Sequence, residues 1–338
     1  MAGIDILFLS AEDLEALELS NQDILDAVEM GLRAHGEKKV LLPSKDHIAL
    51  DYPDKLFNIL KGYVQPIEAC GVKVLGDFHG NYAHDLPSEL STLLLMSPET
   101  GAPFALINST AITWMRTGAV TALGARHLAR KDSKVLGHIG ARGTSWYNVA
   151  MLDLLFDFDE IRVTSARPES RERFAATMSE QLGKTIRVMD NADDTVRDAD
   201  IIIDASRLKE HQVLVADDAV KPGAHLQAYG AVLSVDPGLP VNVDRFVVDD
   251  WNQCKQSGYG QFAGLIQDGS LRDEHVYGDI GEIVAGLKPG RESETERNLF
   301  WHKGFAISDI VIGHLAYQRA KAAGIGTWLP YYANPRDM

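Results

Sequence analysis

Cysteine is nearly absent from this sequence, since Cys70 and Cys254 are the only two among 338 residues. A disulfide framework or a zinc site needs several cysteines, or cysteines clustered with histidines. We therefore predict no disulfide and no metal site. Two reduced thiols of this kind are typical of a cytoplasmic protein.

Positive charge is also scarce, with 33 lysines and arginines against 48 aspartates and glutamates and a formal net charge of -15. Because phosphate backbones repel an acidic chain, we predict no nucleic-acid partner. No apolar run is long enough to cross a bilayer, and the opening MAGIDILFLSAEDLEAL lacks a basic region before its apolar residues. These absences predict neither a membrane partner nor a signal peptide.

One stretch, VLGHIGARGTSWYNVAMLDLLFDFDEIRVTSAR, has the pattern of a strand, a glycine turn, a helix and a second strand. The apolar run at 135–139 predicts the first strand and residues 161–165 the second, with helical spacing between them. Thr144 or Ser145 is expected to cap the helix. Such a βαβ unit places a helix N-terminus at the end of the first strand, where a dinucleotide pyrophosphate would bind.

The glycine turn consists of Gly140, Ala141, Arg142 and Gly143. In the G-x-G-x-x-G fingerprint the position of Arg142 is a glycine, so the match is incomplete. Gly143 follows at once and still allows a phosphate to approach, while Arg142 either shields the pocket or adds positive charge to it. The alternative is a turn that only makes a tight corner. We favour cofactor binding because the turn lies inside a whole βαβ unit.

The end of the second strand bears on the choice of cofactor. An NAD enzyme usually has an acidic residue there to bind the ribose 2′-hydroxyl. This chain has Ser165, Ala166 and Arg167 instead. A hydroxyl and a guanidinium suit a 2′-phosphate, which slightly favours NADP(H) over NAD(H). The alternative for Arg167 is a solvated loop residue.

Two lysines interrupt apolar runs that are predicted as paired strands, Lys61 within residues 56–64 and Lys73 within 71–78. A lysine in such a run normally reaches the surface or meets an anion. For Lys61 two interpretations are equally open: it lies on an exposed face of the strand, or it has a functional role. For Lys73 we favour a function.

Two further cations are candidates. The strand-like alternation of residues 39–50 puts Lys45 on one face with His47. Arg116 lies in the middle of a helix predicted over 109–128, followed by small residues such as Thr117 that permit a ligand to approach closely. A buried arginine needs an anion, which is either a structural carboxylate or a substrate carboxylate.

Apolar and capping patterns predict the remaining elements along the chain. They are strands at 4–9, 91–96, 103–108, 185–189, 198–206, 225–230 and 245–251, and helices in SAEDLEAL, from Ser20, and at 169–182 and 300–324. The alternation between about 130 and 300 predicts an α/β domain with a doubly wound parallel sheet. The last helix is expected to pack on the first domain.

Five motifs together resemble one family. They are GVKVLGDFHGN, SPETGAPFALINSTAITWMRTGAVTALGARHLAR, VLGHIGARGTS, HLQAYGAV and GDIGEIVAGLKPGR. In number and order they are similar to those of the ornithine cyclodeaminase and μ-crystallin family over nearly the whole chain. The resemblance implies a Rossmann-type NAD(P)-binding domain at 129–304. It also implies an α+β substrate-binding and dimerisation domain at 1–128, to which residues 305–338 return, and hence a homodimer.

The same resemblance implies roles for the candidate residues. Arg116 matches the arginine that binds the substrate carboxylate, and Lys73 the lysine near the reacting nitrogen and carbon. Lys45 falls where the family usually has a second carboxylate-binding arginine. The predicted cofactor-binding residues are Gly140, Arg142, Gly143, Thr144, Ser145, Ser165, Arg167, Ser206, Gly230, Thr117 and His302.

Two positions depart from the family pattern. Cyclodeaminases of the family have an aspartate two residues after the glycine matched by Gly230, where this chain has Val232. Valine cannot take a proton, and Asp236 is too far along the chain to replace the aspartate in place. His302 stands where relatives usually carry a serine near the nicotinamide. The alternative interpretation is that His302 is a helix-cap or core residue without a role in cofactor binding.

These observations predict an NAD(P)-dependent oxidoreductase that reduces an α-imino acid or cyclic imine, or oxidises the matching amino acid. The expected small-molecule partner is therefore an amino acid or imino acid. One alternative is a diamino-acid cyclodeaminase that releases ammonia, against which Val232 counts. The other is a non-catalytic NADPH-binding protein, against which the presence of Lys73 and Arg116 counts.

Overall fold

A computed structural model describes residues 3–50, 55–256 and 258–333, apart from the side chains of His79 and Tyr82. The strands are β1 (Ile4–Leu9), β2 (Val40–Leu41), β3 (Asp46–Ala49), β4 (Lys55–Val64), β5 (Ala69–Phe78), β6 (Glu89–Met96), β7 (Pro103–Asn108), β8 (Val135–Ile139), β9 (Glu160–Thr164), β10 (Ile186–Val188), β11 (Ile201–Asp204), β12 (His225–Tyr229), β13 (Arg245–Val248), β14 (Val276–Asp279), β15 (Asn298–His302) and β16 (Thr327–Tyr332). The α-helices are α1 (Ala11–Ala16), α2 (Asn21–Gly36), α3 (Thr110–Leu128), α4 (Ser145–Leu155), α5 (Pro168–Leu182), α6 (Ala192–Val196), α7 (Leu239–Asn242), α8 (Trp251–Lys255), α9 (Gln261–Gln267), α10 (Ile280–Val284) and α11 (Ala306–Ala323).

The chain forms two compact units. Unit 1 consists of Met1–Arg116 and Phe305–Met338, and unit 2 of Thr117–Gly304. Helix α3 therefore begins in unit 1 and ends in unit 2. In the described part of the chain, no helix is both long enough and apolar enough to cross a membrane.

Unit 1 is built on a mixed sheet with the order β16-β1-β7-β6-β5-β4-β2, and β3 pairs with the far part of β4. Helix α11 packs on β4, β5, β6 and α2. Two glycines let it lie close to the sheet. A Cβ on Gly71 would be 2.5 Å from Ile310 Cγ1, and a Cβ on Gly313 would be 2.3 Å from Leu93 Cδ2. Any larger side chain at either position would push the helix away.

The opposite face of this sheet is open in unit 1. Side chains alternate between faces along a strand, so the neighbours of the buried β5 residues point away from α11. This open face is defined by apolar side chains that are half-buried or exposed: Ile48, Ile59, Val72, Val74, Leu90 and Leu94. Ile48 is 51% exposed, Val74 42% and Leu90 39%.

Unit 2 contains an eight-stranded sheet with the order β10-β9-β8-β11-β12-β15-β13-β14, in which every pair is parallel. The order reverses between β8 and β11, because the chain winds first towards β10 and then towards β14. This is the doubly wound arrangement predicted for this part of the chain, and its ligand crevice lies beyond the carboxyl ends of β8 and β11. The predicted fold class is confirmed.

Three predictions of local structure are wrong. Residues 39–50 form only the two short strands β2 and β3, since Pro43 lacks the N–H that a continuous ladder needs. Lys45 accordingly precedes β3 rather than sharing a strand face with His47. The helix predicted at 300–324 begins only at Ala306, because residues up to His302 belong to β15.

Candidate functional site

Lys73 lies in the interior of unit 1, on the face of β5 that α11 covers. It is 1% exposed. Its Nζ donates hydrogen bonds to Thr113 Oγ1 at 2.5 Å and to Asp309 Oδ1 at 2.6 Å. A lysine ammonium has three N–H groups. Two of them have acceptors among the described residues, and the third is left to bind another atom.

Asp309 joins Lys73 to Arg116. Its Oδ1 is 3.5 Å from Arg116 Nε, and the aspartate side chain is fully buried. Within the described residues, Asp309 Oδ2 has no hydrogen-bond partner. Two cations therefore share one carboxylate in a site with little solvent. Cations held in such a site can bind a carboxylate ligand by charge-assisted hydrogen bonds.

The surroundings of Lys73 hold the pKa of its ammonium below the ordinary lysine value. Burial is the largest cause, because it disfavours the charged form. The negative charge of Asp309 acts in the opposite direction and raises the pKa, Arg116 lowers it, and Glu89 raises it more weakly. The net effect is a lysine that loses its proton at lower pH than an exposed one, as proton transfer near neutrality requires.

Three elements bring this cluster together. Lys73 comes from β5, Thr113 and Arg116 come from α3, and Asp309 comes from the first turns of α11. Residues three apart on a helix lie on the same face, so Thr113 and Arg116 point to the same side of α3. The Thr113 hydroxyl donates to Ser109 O at 3.1 Å, which turns its lone pairs towards Lys73.

The other two lysines lie elsewhere in unit 1. Lys61 belongs to the open face, where it pairs with Asp46 and donates to Ser44 O at 3.1 Å. Lys61 is half-buried at this position. Lys45 is half-buried in the segment between β2 and β3. Three residues were predicted as catalytic. Of these, the described contacts join Lys73 to Arg116 through Asp309.

The glycine turn of unit 2 lies at the switch point of the parallel sheet. Gly140 has φ +119°, and a Cβ there would be 2.9 Å from Ala205 O in the loop after β11. Gly143 has φ +55°, also in the left-handed region. Both values favour glycine, and the close approach of the two loops excludes a side chain at Gly140.

Helix α4 begins directly after this turn, without a side-chain cap. Thr144 already has helical backbone angles, so its hydroxyl makes no capping hydrogen bond and the predicted cap is wrong. Ser145 is fully buried, and no described residue hydrogen-bonds its Oγ. The first N–H groups of a helix are also without intrahelical acceptors. These donors fit a dinucleotide pyrophosphate at the helix N-terminus.

His138 supports the turn from inside the sheet. Its Nδ1 donates to Gly140 O at 3.0 Å, and its Nε2 accepts from Asn148 Nδ2 at 3.1 Å. Both bonds suit a neutral imidazole. Burial lowers the pKa of His138 to about 4, which keeps it neutral at physiological pH. The sequence analysis did not identify this residue, although a lone histidine in an apolar strand is a visible signal.

Most of the other predicted cofactor residues follow the carboxyl ends of neighbouring parallel strands, and therefore lie at one edge of the sheet. Ser165 and Arg167 follow β9, where Ser165 Oγ donates to Arg167 O at 3.1 Å. Ser206 follows β11, and its N–H donates to Asp204 Oδ1 at 3.1 Å. Gly230 follows β12 with φ +59°.

His302 ends β15 at the same edge. It is 2% exposed, and its Nε2 is 3.9 Å from Asp249 Oδ2. Its ring packs edge-on to Tyr229 with the centroids 6.0 Å apart. Thr117 lies apart from these strands, on α3, where its carbonyl accepts from Thr121 Oγ1 at 2.7 Å.

A parallel sheet that reverses its order at a glycine turn defines a dinucleotide-binding fold. Residues 5–324 match the model of the Ornithine cyclodeaminase/mu-crystallin family. The chain belongs to this family, and the predicted resemblance is confirmed.

Three relatives illustrate the similarity. The chain is 30% identical over 334 residues to an alanine dehydrogenase of Archaeoglobus fulgidus, an alignment that covers 97% of this chain and 99% of the relative. The structure resembles the Δ1-pyrroline-2-carboxylate reductase of Thermococcus litoralis in complex with NADH and L-proline, with a TM-score of 0.89, 31% identity and coverage of 95% and 99%. An archaeal alanine dehydrogenase dimer with bound NAD gives a TM-score of 0.88, 28% identity and coverage of 97% and 100%. All three are oxidoreductases, in agreement with the predicted class.

Proposed function

We propose that this chain is an NAD(P)-dependent oxidoreductase that reduces an α-imino acid or a cyclic imine with a carboxylate, or oxidises the matching amino acid. The single observation that carries the proposal is the buried Lys73–Asp309–Arg116 cluster, in which two cations share one carboxylate. A cationic cluster of this kind favours a substrate that carries a carboxylate. The relatives named above, which act on alanine or on pyrroline-2-carboxylate, support a small substrate of this kind.

Arg116 binds the substrate carboxylate in this proposal, because its guanidinium can donate two parallel hydrogen bonds to the two oxygens. Lys45 serves as a second cation for the same carboxylate. Holding the carboxylate at a fixed point orients the α-carbon for reaction, and such positioning supplies a large part of the rate.

Lys73 acts at the substrate nitrogen. Its Nζ is held by hydrogen bonds to Thr113 and Asp309, which leave a third N–H for the reacting group. The lowered pKa of Lys73 allows it to give a proton to the nitrogen during reduction, or to take one during oxidation. The nicotinamide cofactor, when bound, supplies or accepts the hydride.

The cofactor is held by unit 2. Gly140, Arg142, Gly143, Thr144 and Ser145 surround the pyrophosphate, as the uncapped start of α4 and the unpartnered Ser145 hydroxyl support. The remaining predicted residues lie along the rest of the dinucleotide: Ser165, Arg167, Ser206, Gly230, Thr117 and His302. The absence of an acidic residue at 165–167 supports a preference for NADP(H).

A panel of substrates tests the proposal. The protein is titrated with NADH and NADPH, and then receives pyruvate with ammonia or methylamine, a cyclic imine carboxylate, or ornithine. Steady loss of reduced cofactor with an imine is the expected result. Ammonia release from ornithine without net change in cofactor identifies a cyclodeaminase instead. Tight cofactor binding without turnover of any substrate identifies a binding protein.

We also propose that the protein is a cytoplasmic homodimer. The dimeric archaeal alanine dehydrogenase supports the assembly, as does the apolar open face of unit 1, which a second copy would cover. The presence of only two cysteines in the sequence, Cys70 and Cys254, supports a reducing compartment. Light scattering coupled to size exclusion should give twice the chain mass, and Val74→Glu should shift it towards the monomer, whereas Val188→Glu, an exposed site in unit 2, should not.

A further inference from the structure

We infer that Tyr229 is a positioning residue for the nicotinamide half of the cofactor, and that Thr121 fixes its ring through a buried hydrogen bond. This inference rests on the proposed function, because it needs the cofactor to bind unit 2. It adds two residues that the sequence analysis did not identify. Tyr229 is the half-buried last residue of β12. It therefore lies at the edge of the parallel sheet where a ligand crevice is expected.

The position of Tyr229 in the sheet assigns it to one half of a dinucleotide. The strand order reverses between β8 and β11, so β9 and β10 lie on one side of the switch point, and β12, β15, β13 and β14 on the other. A doubly wound fold holds one nucleotide on each side, with the adenosine ribose at the end of the second strand, here β9. The side that contains β12 is left for the nicotinamide nucleotide.

The Tyr229 hydroxyl is hydrogen-bonded to Thr121 Oγ1, which is fully buried on α3. The direction of this bond follows from the other partners of Thr121. Its one proton goes to Thr117 O at 2.7 Å rather than to Asn148 Oδ1 at 3.2 Å. Gln227 Nε2 donates to its oxygen at 3.2 Å. A threonine hydroxyl has one proton and two lone pairs, so the second lone pair accepts from the tyrosine phenol.

Close packing between α3 and the sheet keeps this bond in place. A Cβ on Gly124 would be 2.6 Å from Phe300 Cδ1 and 3.1 Å from Gln227 Oε1. A larger residue at this position would push α3 away from β12 and β15. Because Gln227 and Tyr229 are two residues apart on β12, both point to the face of the sheet that α3 covers.

The ring of Tyr229 meets His302, its direct neighbour on β15. The two rings are edge-on, and the His302 ring in turn stacks on Phe300 with the centroids 6.1 Å apart. A flat nicotinamide ring packs favourably against aromatic groups arranged in this way. Since its hydroxyl is held by Thr121, the Tyr229 ring has one orientation, and cofactor binding does not have to order it.

Binding of ligands with and without nicotinamide tests the inference without turnover. Calorimetry measures the Kd of NADH, NADPH, ADP-ribose and 2′-phospho-ADP-ribose, of which the last two lack the nicotinamide. Tyr229→Phe keeps the ring and loses the hydroxyl, and it should weaken the preferred reduced dinucleotide by about fivefold to tenfold. The matching ADP-ribose should keep its affinity within a factor of about two. Thr121→Val should give the same pattern, and Thr121→Ser, which keeps the hydroxyl, should bind like the wild type.

Tyr277→Phe is the matched control, since it removes another tyrosine hydroxyl of unit 2, one that donates to Pro289 O at 3.0 Å. It should match the wild type with all four ligands. Tyr229→Phe combined with Thr121→Val should lose no more affinity than either change alone, because both break the same bond. Should Thr121→Val not fold, Tyr229→Phe and Thr121→Ser still decide the matter.

The outcomes separate this inference from the proposed function. Unchanged affinity of Tyr229→Phe for the dinucleotides overturns the role of Tyr229. Equal weakening of the dinucleotide and of ADP-ribose assigns the hydroxyl a structural role, which also overturns the inference. A wild type that binds no dinucleotide overturns both proposals. The expected pattern in a protein that reduces no imine supports the inference and contradicts only the proposed reaction.

Discussion

Lys73 and Asp309 are separated by 236 residues in the chain, yet the Lys73 Nζ lies 2.6 Å from Asp309 Oδ1 in the interior of unit 1. One residue comes from a central strand of the sheet and the other from the helix that covers it. This ion pair has little access to water, so its two charges depend on each other and on Arg116.

Asp309→Asn should lower the pH at which Lys73 loses its proton. The carboxylate of Asp309 raises the pKa of Lys73 against the effect of burial, so its removal shifts the pKa further down. If Lys73 acts as the proton donor, the alkaline limb of the pH–rate profile moves to lower pH. Loss of one partner of a buried pair should also destabilise the protein by about 3–5 kcal/mol.

The matched control for Asp309→Asn is Arg319→Ala on the same helix, which breaks the exposed Arg319–Asp23 pair. That change should cost about 1 kcal/mol or less and leave the pH profile unchanged. An Asp309→Asn variant with the wild-type alkaline limb would show that Asp309 does not control the lysine.

Lys73→Met should reduce kcat by about a hundredfold or more, the usual contribution of a positioned acid or base. Cofactor affinity should stay at the wild-type value, because the glycine turn belongs to unit 2. Lys61→Met is the control, since Lys61 lies in the neighbouring strand on the opposite face of the sheet. Near-normal turnover in Lys73→Met, or an equal loss in Lys61→Met, would end the proposed role of Lys73.

The stability of the protein should fall as the pH is lowered from about 6.5 to 4. The pKa of His138 is about 4 in the folded chain, whereas unfolded histidine has an ordinary value near 6.5, so the unfolded state binds a proton first. His225, with a pKa lowered by burial to about 3, acts in the same direction. Each histidine contributes a slope of about 1.4 kcal/mol per pH unit in this window.

His138→Gln should therefore reduce the pH dependence of the free energy of unfolding by about 1.4 kcal/mol per pH unit between pH 6 and 4.5. Urea denaturation at several pH values measures it. His211→Gln removes an exposed histidine and should keep the wild-type slope. Parallel stability curves for the wild type and His138→Gln would contradict the assignment of a buried neutral histidine.

The wild type should release no ammonia from ornithine, because Val232 offers no group that could bind or deprotonate a side-chain amine. Val232 is 3% exposed and has φ +48°, a backbone conformation that aspartate adopts more readily than valine. Val232→Asp relieves this backbone strain but places a carboxylate in an apolar cluster, so circular dichroism first checks that it folds. The folded variant should bind ornithine about tenfold more tightly as a competitor of the imine substrate.

Val232→Ala distinguishes the added carboxylate from the loss of the valine side chain, and it should not gain affinity for ornithine. Ammonia release by the wild type, with no net change in cofactor, would show that this family member deaminates without the aspartate.

Elements with a strong local pattern were predictable from the sequence. Capping patterns predicted a helix in SAEDLEAL and another from Ser20, and both Ser10 and Ser20 form capping boxes with an aspartate three residues later. Six of the eight parallel strands of unit 2 were predictable as short apolar runs between turns, whereas β14 and β15 were not predicted. The boundary between β15 and α11 was not, because the apolar run FWHKGFAISDIVIG continues across both elements.

The candidate site was predictable only where a residue stood out from its surroundings. Lys73 and Arg116 are cations in apolar segments, and the structure joins them. Asp309 is an equally isolated charge in an apolar helix, and the need to pair a buried carboxylate would have identified it. That Asp309 pairs with Lys73 could not be predicted, because a contact between residues far apart in the chain depends on the packing of α11 against β5.

Unit 1 is built from both ends of the chain, and this arrangement determines the order in which the two units can fold during synthesis. The ribosome makes every residue of unit 2 before it makes α11. Domains generally fold as units while the chain grows, so unit 2 can fold first. Until α11 emerges, the inner face of the sheet is uncovered and Lys73 lacks its carboxylate. A nascent chain that stops before residue 305 thus has its whole dinucleotide-binding unit, and it acquires the carboxylate that joins Lys73 to Arg116 only with the last helix.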